Sequence, residues 1–182
     1  MFAKKVLQQL KNISAFYSKS VNMNKNPAEL FTEARISSSY VAFRPDYPIE
    51  LKERIKGYSK KDYTPIKLVV DAGCGSGQST LMWADECESV IGFDISESQI
   101  KNAPQTKNNV IFKVSSAYNI PTENSNVDLI TIAQTMHWLE KDRFYSEVKR
   151  ALKLDGVLAV FGYGNVELSN TKASELVKEV IH

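Results

Sequence analysis

One segment carries the strongest local signal: Val69-Val70-Asp71-Ala72-Gly73-Cys74-Gly75-Ser76-Gly77-Gln78-Ser79-Thr80. Apolar residues that end in an acid are followed by three alternating glycines, where the backbone can approach a ligand closely because no side chain intervenes. The dinucleotide fingerprint G-x-G-x-x-G would require glycine in place of Gln78, so the spacing differs from that of a diphosphate cradle. The segment predicts a strand, a ligand-binding loop and the start of a helix.

Strand and helix patterns alternate around this loop. Strands are predicted at 66–70, 90–93, 110–114, 127–133 and 157–161, and helices at 79–86, 97–102 and 142–152. Ser96 and Gln99 are spaced to form a capping box at the start of the second of these helices. Five short apolar strands interleaved with helices predict an α/β fold whose mostly parallel sheet is covered on both faces.

Length and composition favour one domain. The chain has 182 residues, of which 43% are hydrophobic, and its 23 basic and 21 acidic residues give a net charge of +2. No apolar run reaches the roughly 20 residues of a membrane-spanning helix, and no secretory signal is evident. Cys74 and Cys87 lack the spacing of a metal site or a disulfide framework, so we expect reduced thiols.

The charge is unevenly distributed. Residues 1–28 contain five lysines and no acid, which leaves 18 basic against 21 acidic residues and a net charge of −3 in the remainder. A mildly acidic body speaks against a nucleic-acid partner. The first 28 residues predict a basic amphipathic helix, compatible with an ordinary N-terminal helix of a cytoplasmic protein or with a mitochondrial targeting segment. Residues 29–60 predict a helical lid, and residues 61–182 the ligand-binding domain.

A second acid supports the glycine loop. Asp94 ends the second predicted strand, 23 positions after Asp71. An acid at this place can accept hydrogen bonds from both ribose hydroxyls of an adenosine. The two acids and the glycines together predict a nucleotide-type cofactor site.

These residues resemble the class I S-adenosylmethionine-dependent methyltransferases, and more narrowly the small-molecule subgroup that includes trans-aconitate methyltransferase. The resemblance covers about residues 31–162. It rests on Tyr40 with Arg44-Pro45 and Tyr47-Pro48, the loop from Asp71 to Gly77, Asp94, Ser116-Ala117 leading to Ile120-Pro121, and Gln134 with His137-Trp138.

The resemblance implies a Rossmann-like, doubly wound sheet and S-adenosylmethionine as cofactor. It implies that the glycine loop faces the methionine part of the cofactor, that Asp94 holds ribose, and that Ser116 and Ala117 contact adenine. Tyr40 and Arg44 resemble residues that close over the cofactor. The cofactor-binding residues expected on this basis are Tyr40, Arg44, Asp71, Gly73, Gly75, Gly77, Asp94, Ser116, Ala117 and Gln134.

Methyl transfer from a sulfonium is a direct displacement with a neutral leaving group, so alignment and desolvation can supply most of the acceleration. Neither a metal nor a nucleophilic triad is required. A carboxylate acceptor needs no base, while a hydroxyl or amine must lose a proton. His137 is the candidate base in the matched region, and a packed loop residue is the alternative.

The chain departs from the resemblance in length. Class I methyltransferases usually place two more strands after the fifth, and their absence here predicts an open edge that favours self-association. Three functions stay open: an enzyme that methylates a small molecule, such as a carboxylic acid; a truncated product that binds the cofactor or a partner without turnover; and a nicotinamide-dependent oxidoreductase, which Gln78 disfavours.

Overall fold

The computed structural model of the protein describes residues 47–59 and 65–163, with the backbone alone at residue 59. Several predictions fall outside these residues. They are the basic N-terminal segment, most of the helical lid, Tyr40 and Arg44. The predicted domain boundaries therefore stay predictions.

Strands and helices alternate along the described chain. The strands are β1 (Ile66–Ala72), β2 (Cys87–Asp94), β3 (Val110–Val114), β4 (Val127–Ala133) and β5 (Leu152–Phe161). The helices are α1 (Ile49–Ser59), α2 (Gln78–Leu81), α3 (Glu97–Lys101) and α4 (Lys141–Ala151), with a short 3-10 helix at Met136–Trp138. Helix α1 begins directly after Pro48.

The five strands form one sheet in the order β3-β2-β1-β4-β5. Each neighbouring pair is parallel, which confirms the predicted α/β fold with a doubly wound sheet. The chain first builds outward from β1 to β3 and then crosses back to β4 on the other side of β1. Ligands of such sheets bind at the carboxyl ends of the strands where the order reverses, here between β1 and β4.

Both faces of the sheet are covered: consecutive residues of the central strands point to opposite sides, and they are buried on each side. Val69 packs in a cluster with Trp83 and Leu129, while its neighbour Val70 packs in another with Ile130. Helix α4 covers the second cluster with Phe144, Val148 and Ala151, which are spaced for one face of a helix. Continuous apolar runs, rather than alternating ones, are what such central strands require.

The helix predicted at 79–86 is wrong in length. Helix α2 ends at Leu81, and the following residues form turns with backbone bonds to the third residue before. Trp83 N donates to Thr80 O at 3.2 Å, and Glu86 N to Trp83 O at 2.9 Å. These tighter turns bury Trp83 completely in the core.

Three strands are longer than predicted. Strand β1 continues through Asp71 to Ala72, two residues beyond its predicted end. Strand β2 begins at Cys87, because the residues before Val90, although partly polar, already pair with β1 from Ile66 onward. Strand β5 begins at Leu152, and its register against β4 shifts between Val127 and Leu129. Lys153 in this irregular stretch bonds Asp128 at 2.6 Å. Apolar runs therefore marked the strand cores and missed the polar ends.

Strand β5 is the last strand on its side of the sheet within the described residues. Leu154 on this strand is fully exposed and Val160 is about half exposed. Self-association through this edge stays a prediction. Among the described helices, none has the length and apolarity that crossing a membrane would require.

Candidate functional site

The loop between β1 and α2 is held in an unusual backbone conformation by its three glycines. Gly73, Gly75 and Gly77 have φ angles of 65°, 55° and 92°, a region that side chains disfavour. A Cβ on Gly77 would lie 2.6 Å from the ring of Phe112, and one on Gly73 would lie 2.8 Å from Thr135 Oγ1. The outer two glycines are thus required by the packing of the protein itself.

Gly75 differs from its two neighbours. A Cβ at this position would meet no described residue closer than Gln99 Oε1, at 3.9 Å. The protein packing that is described therefore does not explain a glycine here. A ligand that lies against the middle of the loop would explain it, because a side chain would occupy the same space.

Asp71 lies beneath the loop, and its contact with a cofactor stays a prediction. The side chain is completely buried and accepts hydrogen bonds from three hydroxyls. Ser79 and Thr80 bond one carboxylate oxygen at 2.6 and 2.7 Å, and Thr131 of β4 bonds the other at 2.7 Å. Asp71 therefore ties the start of α2 to β4 and fixes the glycine loop between them.

Asp94 lies at the carboxyl end of β2, as predicted, and its carboxylate reaches the loop. One oxygen accepts from Gly75 N at 2.9 Å and the other from Ser96 N at 2.9 Å. Burial raises the pKa of Asp94 above its ordinary value, against the lowering effect of these amides. Since a carboxylate offers about four acceptor positions, Asp94 can hold the loop and still accept bonds from a ligand.

The predicted capping box is confirmed in part. Ser96 Oγ accepts from Gln99 N at 3.4 Å at the start of α3. The Ser96 amide, which a full box would assign to the Gln99 side chain, donates to Asp94 instead. The strand-end acid thus orders the turn into α3 in addition to the glycine loop.

Cys74 lies inside the glycine loop and is buried. Burial raises the pKa of the Cys74 thiol well above its ordinary value, and the carboxylates of Asp71 and Asp94 add to the effect. A thiol is a poor nucleophile until it loses its proton. Cys74 is therefore a packing residue of the loop.

The segment after β3 contains Ser116 and Ala117, the predicted adenine contacts. Ser116 Oγ accepts from Tyr118 N at 3.2 Å, which closes a local turn, and Ala117 packs against the core. The Tyr118 hydroxyl accepts from Glu140 N at 2.8 Å. This bond joins the segment to the chain just before α4. The adenine contacts themselves stay predictions.

A clasp on α4 holds the rest of that segment. Glu147 accepts from Ile120 N at 3.0 Å, and Arg150 donates to the carbonyls of Ile120 and Thr122 at 2.8 and 2.9 Å. The Arg150 guanidinium lowers the pKa of Glu147 below its ordinary value. The two side chains also pair with each other at 2.9 Å. Backbone groups of a surface loop are thereby fixed by one ion pair.

The chain turns sharply after β4, at Gln134 and Thr135. Gln134 has a φ of 58°, a left-handed conformation that a residue other than glycine adopts at a cost of about 1 kcal/mol or more. The turn brings Thr135 Oγ1 within 3.0 Å of Gly73 O and 3.1 Å of Ala133 O. It also places the Gln134 amide so close to Gly162 that a Cβ there would lie 3.0 Å from Nε2.

A cavity of about 310 Å³ opens beside this turn, between the carboxyl ends of β4 and β5. Its volume is at the lower end of the range of small-molecule sites. His137 is exposed, lies on the 3-10 helix and contacts Trp138 at 5.0 Å between ring centroids. The described lining residues are Gln134, Thr135, Met136, His137, Lys141, Phe161 and Gly162.

The structure thus brings together the predicted residues Gly73, Gly75, Gly77 and Asp94 around one loop, and Gln134 and His137 around the cavity. Sequence reasoning missed Thr135, Phe112 and Lys141. Thr135 directly follows a predicted residue, which was the available signal for it. The contact of Phe112 with Gly77 and the place of Lys141 depend on how the strands and helices assemble, which the local pattern does not contain.

The described residues contain no group of three histidine, cysteine, aspartate or glutamate side chains that could hold a metal ion. The described site offers the amides of its loop, the Asp94 carboxylate and the adjoining cavity. A loop that admits a close ligand, an acid that can accept from a diol, and an adjoining cavity suit a nucleotide-like donor with a second molecule beside it.

Comparison with known proteins gives a consistent result. A family model described as "Methyltransferase domain" matches residues 70–160, which is half of the chain. A candidate methyltransferase of Dictyostelium discoideum is 40% identical over 146 residues, covering 79% of this chain and 53% of its own length. A candidate S-adenosylmethionine-dependent methyltransferase of Saccharomyces cerevisiae is 30% identical over 134 residues, covering 70% of this chain and 45% of its own.

A solved structure agrees with these relatives. The candidate type II methyltransferase from Anaeromyxobacter dehalogenans superposes with a TM-score of 0.59 at 32% identity, over 68% of this chain and 50% of its own. The chain thus spans about half the length of the curated relatives it matches. The residues matched by the family model run from within β1 into β5, and they include the glycine loop and five of the seven described residues that line the cavity.

Proposed function

The chain belongs to the methyltransferase domain family, and from this premise we propose that it binds S-adenosylmethionine at the glycine loop and transfers the methyl group to a small molecule. The observation that carries the proposal is the contrast among the three glycines. Gly73 and Gly77 are required by packing, while Gly75 is left for a ligand. Because the chain spans about half the length of the relatives it matches, methyl transfer is part of the proposal together with cofactor binding.

The residues at the loop fit the cofactor. A Cβ on Gly75 would fill the space that a closely bound ligand needs. Asp94 is held by Gly75 N and Ser96 N, and the remaining acceptor positions of its carboxylate suit the two ribose hydroxyls. The resemblance to class I methyltransferases assigns Ser116 and Ala117 to the adenine. It assigns Tyr40 and Arg44 to closure over the cofactor.

Bound S-adenosylmethionine would supply an electrophilic methyl group on a sulfonium. The protein would contribute orientation and exclusion of water, since the displacement needs no metal and no covalent intermediate. The three hydroxyls that donate to the Asp71 carboxylate keep the loop in one conformation before the ligand arrives. A preformed loop saves the ordering cost that a flexible one would incur on binding.

A small carboxylic acid is the acceptor class that we propose first, because its oxygen is a nucleophile without a base. The cavity of about 310 Å³ favours a molecule of modest size. His137 lines this cavity and is the candidate base for a hydroxyl or amine acceptor.

Calorimetry with the 182-residue chain tests the cofactor assignment. We expect S-adenosylmethionine to bind and NAD to bind at least about tenfold more weakly, because Gln78 occupies the position where a diphosphate-binding fingerprint has its last glycine. Asp94→Asn should weaken S-adenosylmethionine binding by at least about tenfold. Asp85→Asn, at an exposed aspartate that pairs with Lys107, is the matched control and should bind normally. Absence of binding at millimolar cofactor would refute the proposal.

Cofactor binding without turnover is the second function that we propose to test for the 182-residue chain. Transfer of labelled methyl groups to a panel of small carboxylic acids separates the two. If the chain binds the cofactor and methylates none of them, while a version extended at its C-terminus does, this form is a binding protein and the enzymatic proposal fails for it.

A further inference from the structure

The cavity between β4 and β5 carries a positive charge that the cofactor assignment does not use. Of its seven described lining residues, one is a lysine, and none is an aspartate or glutamate. Met136 and Phe161 supply apolar surface, and Gln134 supplies an amide. A cavity with this lining favours a small molecule that has an apolar body and one anionic group.

Lys141 differs from the next basic residue on the same helix. Arg143 is paired with Glu140 at 2.9 Å and lies over the Tyr118 ring, 4.2 Å from its centroid. Within residues 47–59 and 65–163, Lys141 makes no ion pair. Two acids flank Lys141 in sequence: Glu140 is engaged by Arg143, and Asp142 forms no ion pair with Lys141 among the described residues. The Lys141 ammonium is therefore able to meet an anion in the cavity.

The cavity adjoins the cofactor loop at Thr135. Thr135 lines the cavity, and its hydroxyl donates to Gly73 O at 3.0 Å. The left-handed turn at Gln134 produces this arrangement, and Gly162 leaves room for the Gln134 amide. Strained backbone of this kind persists where the surrounding structure requires it, often at ligand sites. A molecule in the cavity would lie beside whatever the glycine loop holds.

We propose that Lys141 forms an anion-recognising subsite in this cavity, which holds a carboxylate or phosphate group of the methyl acceptor. The proposal rests on the proposed function, because the cavity becomes an acceptor site only if the loop binds the methyl donor. It makes Lys141 a residue that determines acceptor specificity, and it places the neutral part of the acceptor against Met136 and Phe161.

Binding of simple probes to the 182-residue chain tests the subsite. Methionine methyl groups are labelled with carbon-13, and pentanoate, its neutral analogue pentanamide, and butyl phosphate are titrated with S-adenosylhomocysteine present. The Met136 signal should move with either anion, while Met82, which packs in the core, should not. Pentanamide should bind about fivefold more weakly than pentanoate, the size of effect expected for one exposed ion pair.

Lysine variants locate the charge. Lys141→Met should weaken pentanoate binding about fivefold, and Lys141→Arg should retain most of it. Lys149→Met, at an exposed lysine near the other end of the helix, is the matched control and should change nothing. Each variant should bind S-adenosylhomocysteine like the wild type, because the proposal places Lys141 in the acceptor cavity and the cofactor on the glycine loop. Whichever of the two anions binds more tightly identifies the acceptor's group.

The outcomes separate this proposal from the proposed function. If S-adenosylhomocysteine binds but pentanamide equals pentanoate, or if Lys141→Met behaves like Lys149→Met, the subsite is refuted and the cofactor assignment stands. If S-adenosylhomocysteine does not bind, the proposed function fails. Anion binding that depends on Lys141 in that case overturns the acceptor assignment and leaves a plain anion site.

Discussion

The carboxyl edge of the sheet contains two regions that differ in how firmly their side chains are held. Around β1 and β2, Asp71 and Asp94 accept bonds from hydroxyls and amides and fix a loop of three glycines. Around β4 and β5, His137 and Lys141 are exposed and line an open cavity. The first region is rigid before any ligand arrives, and the second is adaptable.

The difference follows from what each region has to recognise. A cofactor of constant structure favours a preformed loop, since ordering the loop during binding would cost affinity. A cavity for a second molecule gains specificity from a few polar side chains on an apolar lining. Buried hydrogen bonds therefore mark the region around β1 and β2, and exposed charge marks the region around β4 and β5.

Gly77→Ala should show the largest effect, because it attacks the packed part of the rigid region. The new Cβ would lie 2.6 Å from the Phe112 ring at a φ of 92°, so we expect the free energy of unfolding to fall by about 3 kcal/mol. Urea denaturation measures the loss. Gly57→Ala in helix α1, whose Cβ would meet no described atom within 4 Å, is the control and should be neutral or stabilising. Equal stability of the two variants would contradict the rigid packing described here.

Asp71→Asn should lower the free energy of unfolding by about 2 kcal/mol, since an amide cannot accept from all three buried hydroxyls. Binding of S-adenosylhomocysteine should weaken too, because the loop loses its support from below. Thr131→Val removes one of the three donors and should cause about half the loss of stability. If Asp71→Asn unfolds like the wild type yet fails to bind, Asp71 contacts the ligand and does not act by supporting the loop.

Gly75→Ala should separate stability from binding. Its φ of 55° predicts a stability loss of about 1 kcal/mol, with no collision against described residues. The affinity for S-adenosylhomocysteine should fall at least about tenfold, since the methyl group occupies the space left for the ligand. Calorimetry and denaturation on one sample give both quantities. Unchanged affinity would show that the ligand does not approach the middle of the loop.

Glu147→Gln should show the smallest effect, at the end of α4 opposite Lys141. The change weakens the bonds of Glu147 to Ile120 N and to Arg150. We expect the free energy of unfolding to fall by about 1 kcal/mol or less at neutral pH, because the Glu147 and Arg150 side chains are partly exposed. Denaturation at a series of pH values measures it, with Glu123→Gln at an exposed glutamate as control.

The sign of the pH dependence follows from the lowered pKa of Glu147. A carboxyl whose pKa is lower in the folded state stabilises the fold fully above its ordinary value of 4.5. The stabilisation disappears as the pH falls through the lowered value. The difference between wild type and Glu147→Gln should therefore be largest at neutral pH and shrink in acid, and a difference that grows in acid would exclude the clasp.

The two regions were not equally predictable. The five strands, the loop and Asp94 follow from apolar runs and from glycine and acid spacing, which are local in sequence. The burial of Asp71 was missed, because its partner Thr131 is 60 positions away. The end of α2 was missed because Trp83 enters the core through turns that an apolar pattern does not distinguish from helix. Lys141 joins the cavity only through the assembly of α4 on the sheet.

Thr135 belongs to both regions, and its hydroxyl has one proton for two carbonyl oxygens, those of Gly73 and Ala133. A ligand that draws Gly73 away from this proton also alters the wall of the cavity. Thermodynamic reciprocity then requires each ligand to change the other's affinity by the same factor. Donor and acceptor would communicate through a shared proton, and the coupling factor would be the same whichever of them binds first.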